Sequence, residues 1–258
     1  MAISEFSVET DRGPLTCSLA VPDDGSAAAE PALVLTFSGA RDTALESESL
    51  RQAAFHFVQA GHYALSFDLP NHGDLIDEYG EGIKGMCAAF VAGDDPFARF
   101  IANGRAVVDA CLERELVQSG RIFACGVSRG GYCALRLAAA ERRIGGVAGL
   151  APVTDWRILR EFAEVKERPE VAALALENWA ADLADRPVYL AIGNHDHRVS
   201  THACVGLARR LFELENPTSP GASAVEVHVV HSNGHALDGQ WRLEGARFLL
   251  RLAVAATG

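Results

Sequence analysis

The chain has 258 residues, 49% of them apolar and 22% charged, enough to fill a sizeable core as one large domain or two small ones, and this composition speaks against global disorder. The formal net charge of −11 argues against broad binding to nucleic acid or to an anionic membrane, both of which want a basic face. The N-terminal residues lack the basic segment and apolar run of a secretory signal, no stretch approaches a membrane span, and six scattered cysteines without a Cys-x-x-Cys pair suit reduced, mostly buried thiols in a cytoplasmic protein.

In chain order, residues 5–10 and 15–21 read as strands joined in a hairpin across Asp11-Arg12-Gly13. Residues 23–30 form a polar loop, and the apolar run 32–37 is a strand that ends at Ser38-Gly39-Ala40. Apolar spacing predicts a helix over 45–60, then a strand over 63–67 stopped by Asp68-Leu-Pro-Asn-His-Gly73. A short helix over 83–91 is broken by Gly93-Asp94-Asp95-Pro96, and a long helix covers 97–115. A strand from Arg121 runs into Gly126-Val127-Ser128-Arg129-Gly130, followed by a helix over 131–142. Strands follow at 144–150, 187–192 and 225–230, and helices at 157–181 (interrupted by Pro169), 200–215 and 240–256, with a Pro/Gly/Ser loop at 216–224. Strands alternating with helices call for a mostly parallel sheet of about eight strands covered on both faces, and the central strands are apolar throughout, as such a sheet requires. No composition break divides the chain, so residues 1–258 are expected to form one domain, with a small cap-like helical insertion at 155–183.

Strand, sharp turn with a serine at its apex, then helix is the mechanical context that makes Gly-x-Ser-x-Gly informative. A serine hydroxyl is a weak nucleophile at neutral pH and needs a base, and that base needs a group to fix its tautomer. Two late loops supply them. Gly193-Asn194-His195-Asp196-His197-Arg198-Val199 follows one strand, and Ser232-Asn233-Gly234-His235 follows the last. The carboxyl ends of parallel strands converge on one edge of an α/β sheet, so Ser128, Asp196 and His235 are expected to meet there, as nucleophile, orienting acid and base. The weaker rivals are Asp155, which fits better as a helix cap, and His195, His197 and His231. Backbone N–H groups of Ala40 and Arg129 are the candidate oxyanion donors. The Arg129 side chain has two readings: it binds a substrate carboxylate, or it pairs with a local acid. Candidate pocket-lining residues are Asn71, His72, Trp156 and His195. Trp156, Phe162 and Trp179 form either an apolar wall or the packing of the insertion, the second being favoured. His195-Asp196-His197 is a weak metal signal without a His-Glu-x-x-His helix, and no phosphate loop or dinucleotide fingerprint is present, so neither metal nor cofactor is expected.

Taken together, Ser38-Gly39-Ala40, Asp68-Leu-Pro-Asn-His-Gly73, the Ser128 turn, the Asp196 loop and Gly234-His235 resemble the α/β-hydrolase superfamily over nearly the whole chain. The likeness is to its compact branch of dienelactone hydrolases, small carboxylesterases and prolyl-oligopeptidase catalytic domains. The resemblance implies an α/β-hydrolase fold, attack by Ser128, orientation by Asp196, proton transfer by His235 and a second oxyanion N–H at Ala40. Departures are Ser38-Gly39 where many relatives have His-Gly, a serine where dienelactone hydrolases use cysteine, no room for a β-propeller, and no long lipase-type lid. The expected activity is acyl transfer to water from a small-molecule ester by a monomer or homodimer. The alternatives are a peptidase or amidase of the same mechanism and, in a different class, a binding protein without catalysis.

Overall fold

The computed structural model describes residues 1–23, 26–184, 186–215, 224–235 and 239–255. The loop expected at 216–224 and the end of the last helix at Ala256 fall largely outside them, as do Asp24 and Gly25 of the first loop.

An eight-stranded sheet runs through the molecule in the order β1-β2-β4-β3-β5-β6-β7-β8. Its strands are β1 (Ala2–Thr10), β2 (Gly13–Val21), β3 (Leu33–Phe37), β4 (Tyr63–Phe67), β5 (Ile122–Val127), β6 (Ile144–Leu150), β7 (Val188–Gly193) and β8 (Val225–Val230). The β1–β2 hairpin pairs Thr10 with Gly13 across Asp11-Arg12, and β2 also runs antiparallel to β4. Every remaining pair is parallel. This is the mostly parallel sheet that the strand–helix alternation predicts, in the α/β-hydrolase fold that the resemblance implies. Strands β3, β5 and β7 are buried at every residue, whereas β1 at one edge and β8 at the other are partly exposed.

The helices are α1 (Arg41–Glu46), α2 (Gln52–Gln59), α3 (Gly82–Ala92), α4 (Pro96–Glu113), α5 (Arg129–Ala140), α6 (Pro169–Ala173), α7 (Ala180–Leu183), α8 (Thr201–Leu214) and α9 (Gly239–Ala255). Helices α2 and α9 pack together on one side of the sheet, and α4, α5, α7 and α8 form a second contiguous layer. Between α3 and α4, Gly93 ends one helix at φ 91°, and the Asp95 carboxylate accepts from the N–H groups of Phe97 and Ala98 to start the next, with Pro96 in its first turn. Phe100 of α4 meets Phe37 edge-to-face and stacks on Phe67, at centroid separations of 5.2 and 5.5 Å, which fixes α4 on β3 and β4.

Two expected helices take another form. The predicted helix over 45–60 is two helices, because the backbone turns extended at Ser47 (φ −61°, ψ 119°); the chain then turns over residues 48–51, where the Ser47 carbonyl accepts from Leu50 and Arg51 at 2.9 Å and the hydroxyls of Ser47 and Ser49 meet. The predicted helix over 157–181 is instead a chain of single turns at Trp156–Ile158, Arg160–Phe162 and Leu176–Trp179 with the short α6 and α7. Pro169 begins α6 rather than interrupting a helix, with Arg168 extended before it. Trp156 and Phe162 are fully buried, and Trp156 lies 4.9 Å from Phe97, 5.1 Å from Tyr132 and 5.3 Å from Phe162. Anchoring these rings in one core cluster outweighs helical regularity, and it matches the favoured reading of Trp156 and Phe162 as packing residues.

The junction of β5 and α5 has no spare space. A Cβ on Gly130 would fall on the Phe37 carbonyl, and one on Gly126 would fall on the Gly130 carbonyl, both far inside the separations that real Cβ atoms adopt. Backbone cannot yield as a flexible side chain can, so Gly130→Ala should lower stability by about 2–3 kcal/mol, read as a fall in the urea midpoint without a change of slope.

Candidate active site

Ser128 sits at φ 57°, ψ −118°, a conformation that L-residues rarely adopt. Its backbone is held from several sides. The Ser128 N–H donates to the Leu150 carbonyl at 2.8 Å, and its carbonyl accepts from Val153 at 3.0 Å and Tyr132 at 3.1 Å. The end of β6 and the first turn of α5 therefore fix the kink that raises the Ser128 hydroxyl at the carboxyl edge of the sheet.

The loops after β7 and β8 bring two further side chains to that hydroxyl. His235 Nε2 lies 3.0 Å from Ser128 Oγ, and His235 Nδ1 lies 2.7 Å from Asp196 Oδ2. With Asp196 accepting from Nδ1–H, the Nε2 lone pair faces the serine. Asp196 is almost wholly buried. Its other oxygen accepts from the N–H groups of Arg198 and Val199 at 2.9 and 3.1 Å. Burial pushes this carboxyl up, but the His235 hydrogen bond and the loop N–H groups outweigh it and hold the group below the usual aspartate range, so Asp196 stays ionised.

Local structure explains why the two loops meet. Asn194 donates its N–H to the Val230 carbonyl, and its side-chain oxygen accepts from the Ser232 N–H at 2.9 Å. The Ser232 hydroxyl closes its own turn on the Gly234 carbonyl at 2.6 Å. The Thr201 hydroxyl bonds the Gly193 carbonyl and accepts from the Asp196 N–H at 3.2 Å, which closes the turn around Asp196.

The Ser38-Gly39-Ala40 turn lies against the start of α5, with the Phe37 carbonyl and Ser38 nitrogen directly beside Gly130. Among the described residues, no protein acceptor takes the N–H of Ala40 or of Arg129. A clamp behind this turn was not anticipated from the sequence. Buried Asp68 accepts from the Arg41 N–H at 2.7 Å, from Arg41 Nη1 at 2.6 Å and from the Asp74 N–H at 2.8 Å, so one carboxylate ties the 38–41 turn to the 71–74 turn. The signal available was an acidic residue at a strand end within Asp68-Leu-Pro-Asn-His-Gly73.

The four candidate lining residues occupy different surroundings. Asn71 is fully buried at φ 63°, and its amide donates to Asp77 and to the Gly80 carbonyl, so it braces its loop. Trp156 lies inside the aromatic cluster. His195 is exposed on the Asp196 loop. His72 is buried beside Gly39 and Arg129, its Nδ1 2.9 Å from the Pro70 carbonyl and its Nε2 without a partner. Burial and the nearby Arg129 charge push the His72 imidazole down to about 4, so it is neutral at pH 7. Asp155 caps the turn at Trp156–Ile158 through the Arg157 N–H, as the helix-cap reading has it, while His235 takes Asp196 as its carboxylate. His197 is exposed, and among the described residues no group of three His, Cys, Asp or Glu side chains is placed to hold a metal ion.

Residues 93–255, well over half of the chain, match the family model described as the prolyl oligopeptidase family, Peptidase_S9. The chain belongs to the prolyl oligopeptidase family. Membership makes it a hydrolase of the S9 type. No curated protein matches its sequence. Solved structures with the same fold include a cold-adapted esterase from an Arctic intertidal metagenomic library, 20% identical over 98% of this chain and 93% of that one, with a TM-score of 0.70. An acetyl xylan esterase from Paenibacillus sp. R4 is 17% identical over 96% and 83%, with a TM-score of 0.72. TT1662 from Thermus thermophilus is 20% identical over 98% and 99%, with a TM-score of 0.71. Among the described residues, no helix is long and apolar enough to cross a membrane.

The lowered His72 has a consequence for acid stability. Once unfolded, the imidazole takes up a proton below about pH 6.5, while the folded protein resists until about pH 4, so stability falls with acid across that window. The size is about 2 kcal/mol between pH 7 and pH 5 for this group alone. Urea unfolding of wild type and His72→Gln at the two pH values should show the variant losing less stability on acidification by about that amount.

Proposed function

We propose that the protein is a serine carboxylesterase acting on small-molecule esters through an acyl-enzyme. The observation that carries this reading is the unbroken hydrogen-bond run from Ser128 Oγ through His235 to Asp196, at 3.0 and 2.7 Å. Geometry of this kind makes a hydroxyl nucleophilic when a carbonyl carbon approaches it. His235 Nε2 takes the Ser128 proton as Oγ bonds to the ester carbonyl carbon. The carbonyl oxygen becomes an oxyanion, to which the N–H groups of Ala40 and Arg129 donate. As the tetrahedral species collapses, the C–O bond to the alcohol breaks and His235 returns the proton to the leaving oxygen. Water then attacks the acyl-enzyme, with His235 again as base, and Ser128 is released with the carboxylic acid. Throughout, ionised Asp196 fixes the tautomer and offsets the imidazolium charge.

Two of the fold neighbours are esterases, which supports the ester assignment. The peptidase name of the family favours a second reading, amide cleavage in small amides or short peptides by the same residues. We assign part of the pocket shaping to residues 155–183. That segment is tied to the Asp196 loop through Glu161, which receives both terminal nitrogens of Arg198 at 2.8 Å.

A fluorophosphonate probe should label wild type and leave folded Ser128→Ala unlabelled. An unlabelled, folded wild type would sink the nucleophile assignment. Asp196→Asn should keep the fold yet lower kcat on short-chain p-nitrophenyl esters by roughly 10³–10⁴-fold. Equal or faster turnover of aminoacyl or prolyl amides in the same panel would replace the esterase reading with the peptidase one.

A further inference from the structure

We propose that the Arg129 side chain is a specificity determinant that binds a carboxylate on the substrate, close to the scissile carbonyl. The inference rests on the serine-hydrolase reading and names the substrate class of that same site.

Arg129 follows the nucleophile directly, yet no protein group takes its charge. Among the described residues it makes no hydrogen bond or ion pair, and its Nε is buried without an acceptor. The other buried or half-buried arginines around the site differ. Arg41 is held by Asp68, Glu5 and Asp74, and Arg198 by Glu161. Glu161, the carboxylate whose charge reaches Arg129, already spends both oxygens on Arg198. The alternative pairing of Arg129 with a local acid is therefore not what the chain builds.

The guanidinium is also placed where a substrate would meet it. Its Nη2 packs on the oxyanion turn, 2.7 Å from the position a Cβ on Gly39 would take, and the His72 ring lies alongside at 3.0 Å from that position. Gly39 thus keeps open the space that the guanidinium occupies. His72, neutral and almost fully buried, adds no second positive charge. Burial weakens the protonated form of Arg129, which a bound anion would restore. A guanidinium with free nitrogens matches a carboxylate by paired charge-assisted hydrogen bonds. Because the guanidinium packs on the turn that carries Ala40 and its residue follows Ser128 directly, the carboxylate it binds lies within a few bonds of the reacting carbonyl, as in a hemiester of a short dicarboxylic acid.

The test compares p-nitrophenyl hemiglutarate with p-nitrophenyl valerate, which match in chain length and differ in the terminal carboxylate. Wild type should favour the hemiester in kcat/KM by about 10–100-fold. That ratio should fall towards one in Arg129→Met and be partly kept in Arg129→Lys. Glutarate should inhibit wild type competitively, and more weakly as salt is raised. Should wild type hydrolyse valerate as well as hemiglutarate or better, the carboxylate site is refuted while the esterase reading stands. If it hydrolyses neither and the fluorophosphonate leaves it unlabelled, the underlying reading fails instead. Because the wild-type ratio alone can overturn the proposal, it is decided even if the variants do not fold.

Discussion

The backbone of Ser128 is the constraint on which the rest depends. Its positive φ is a state that costs a non-glycine residue about 1–3 kcal/mol and persists only where its surroundings over-determine it. Here they do so by contact. Gly130 rests on the Phe37 carbonyl, Gly126 rests on Gly130, and Leu150 and Val153 hold the serine from the β6 side. Closing α5 onto β3 in this way also sets the Ser38-Gly39-Ala40 turn against the helix start. One close approach therefore positions the candidate nucleophile, both candidate oxyanion donors and the Arg129 stem together.

The second level of support is electrostatic, and it uses the acids of the site economically. Asp196 serves His235, Glu161 serves Arg198, and Asp68 serves Arg41 and two backbone N–H groups. Each removes a positive group or an unsatisfied donor that would otherwise be costly where it is buried. Glu161 also joins the 155–183 segment to the Asp196 loop through Arg198.

Much of this was legible in the sequence, for physical reasons that differ by element. Buried parallel strands announce themselves as apolar runs, and β4, β6 and β8 match the predicted bounds. Ser128, Asp196 and His235 were readable because each follows such a run, and strand ends converge. The 45–60 and 157–181 helices were over-extended because periodicity does not register one residue turning extended at Ser47, nor a tryptophan whose burial dictates the backbone around it. Asp68 with Arg41 stayed hidden because a salt bridge between two loops depends on the sheet order, which places β3 beside β4. Arg129 stayed ambiguous for a related reason. Whether a cation is paired depends on where every nearby carboxylate goes, and no local pattern carries that information.

That allocation of charge distinguishes this site from its setting. The chain as a whole carries −11, yet beside Ser128 the acids are consumed and a guanidinium is left over. His72 completes the arrangement by being buried rather than charged. A protonated imidazole there would repel Arg129 and would itself need a partner, whereas the neutral ring leaves the local charge to the guanidinium from neutral pH down to about pH 4. A buried neutral histidine, a glycine that makes room and an unpaired arginine are each unremarkable alone. Side by side at the Ser38-Gly39-Ala40 turn, they leave one unpaired guanidinium next to Ser128 in a chain whose overall charge is negative, and this local charge is the basis for the proposed carboxylate specificity.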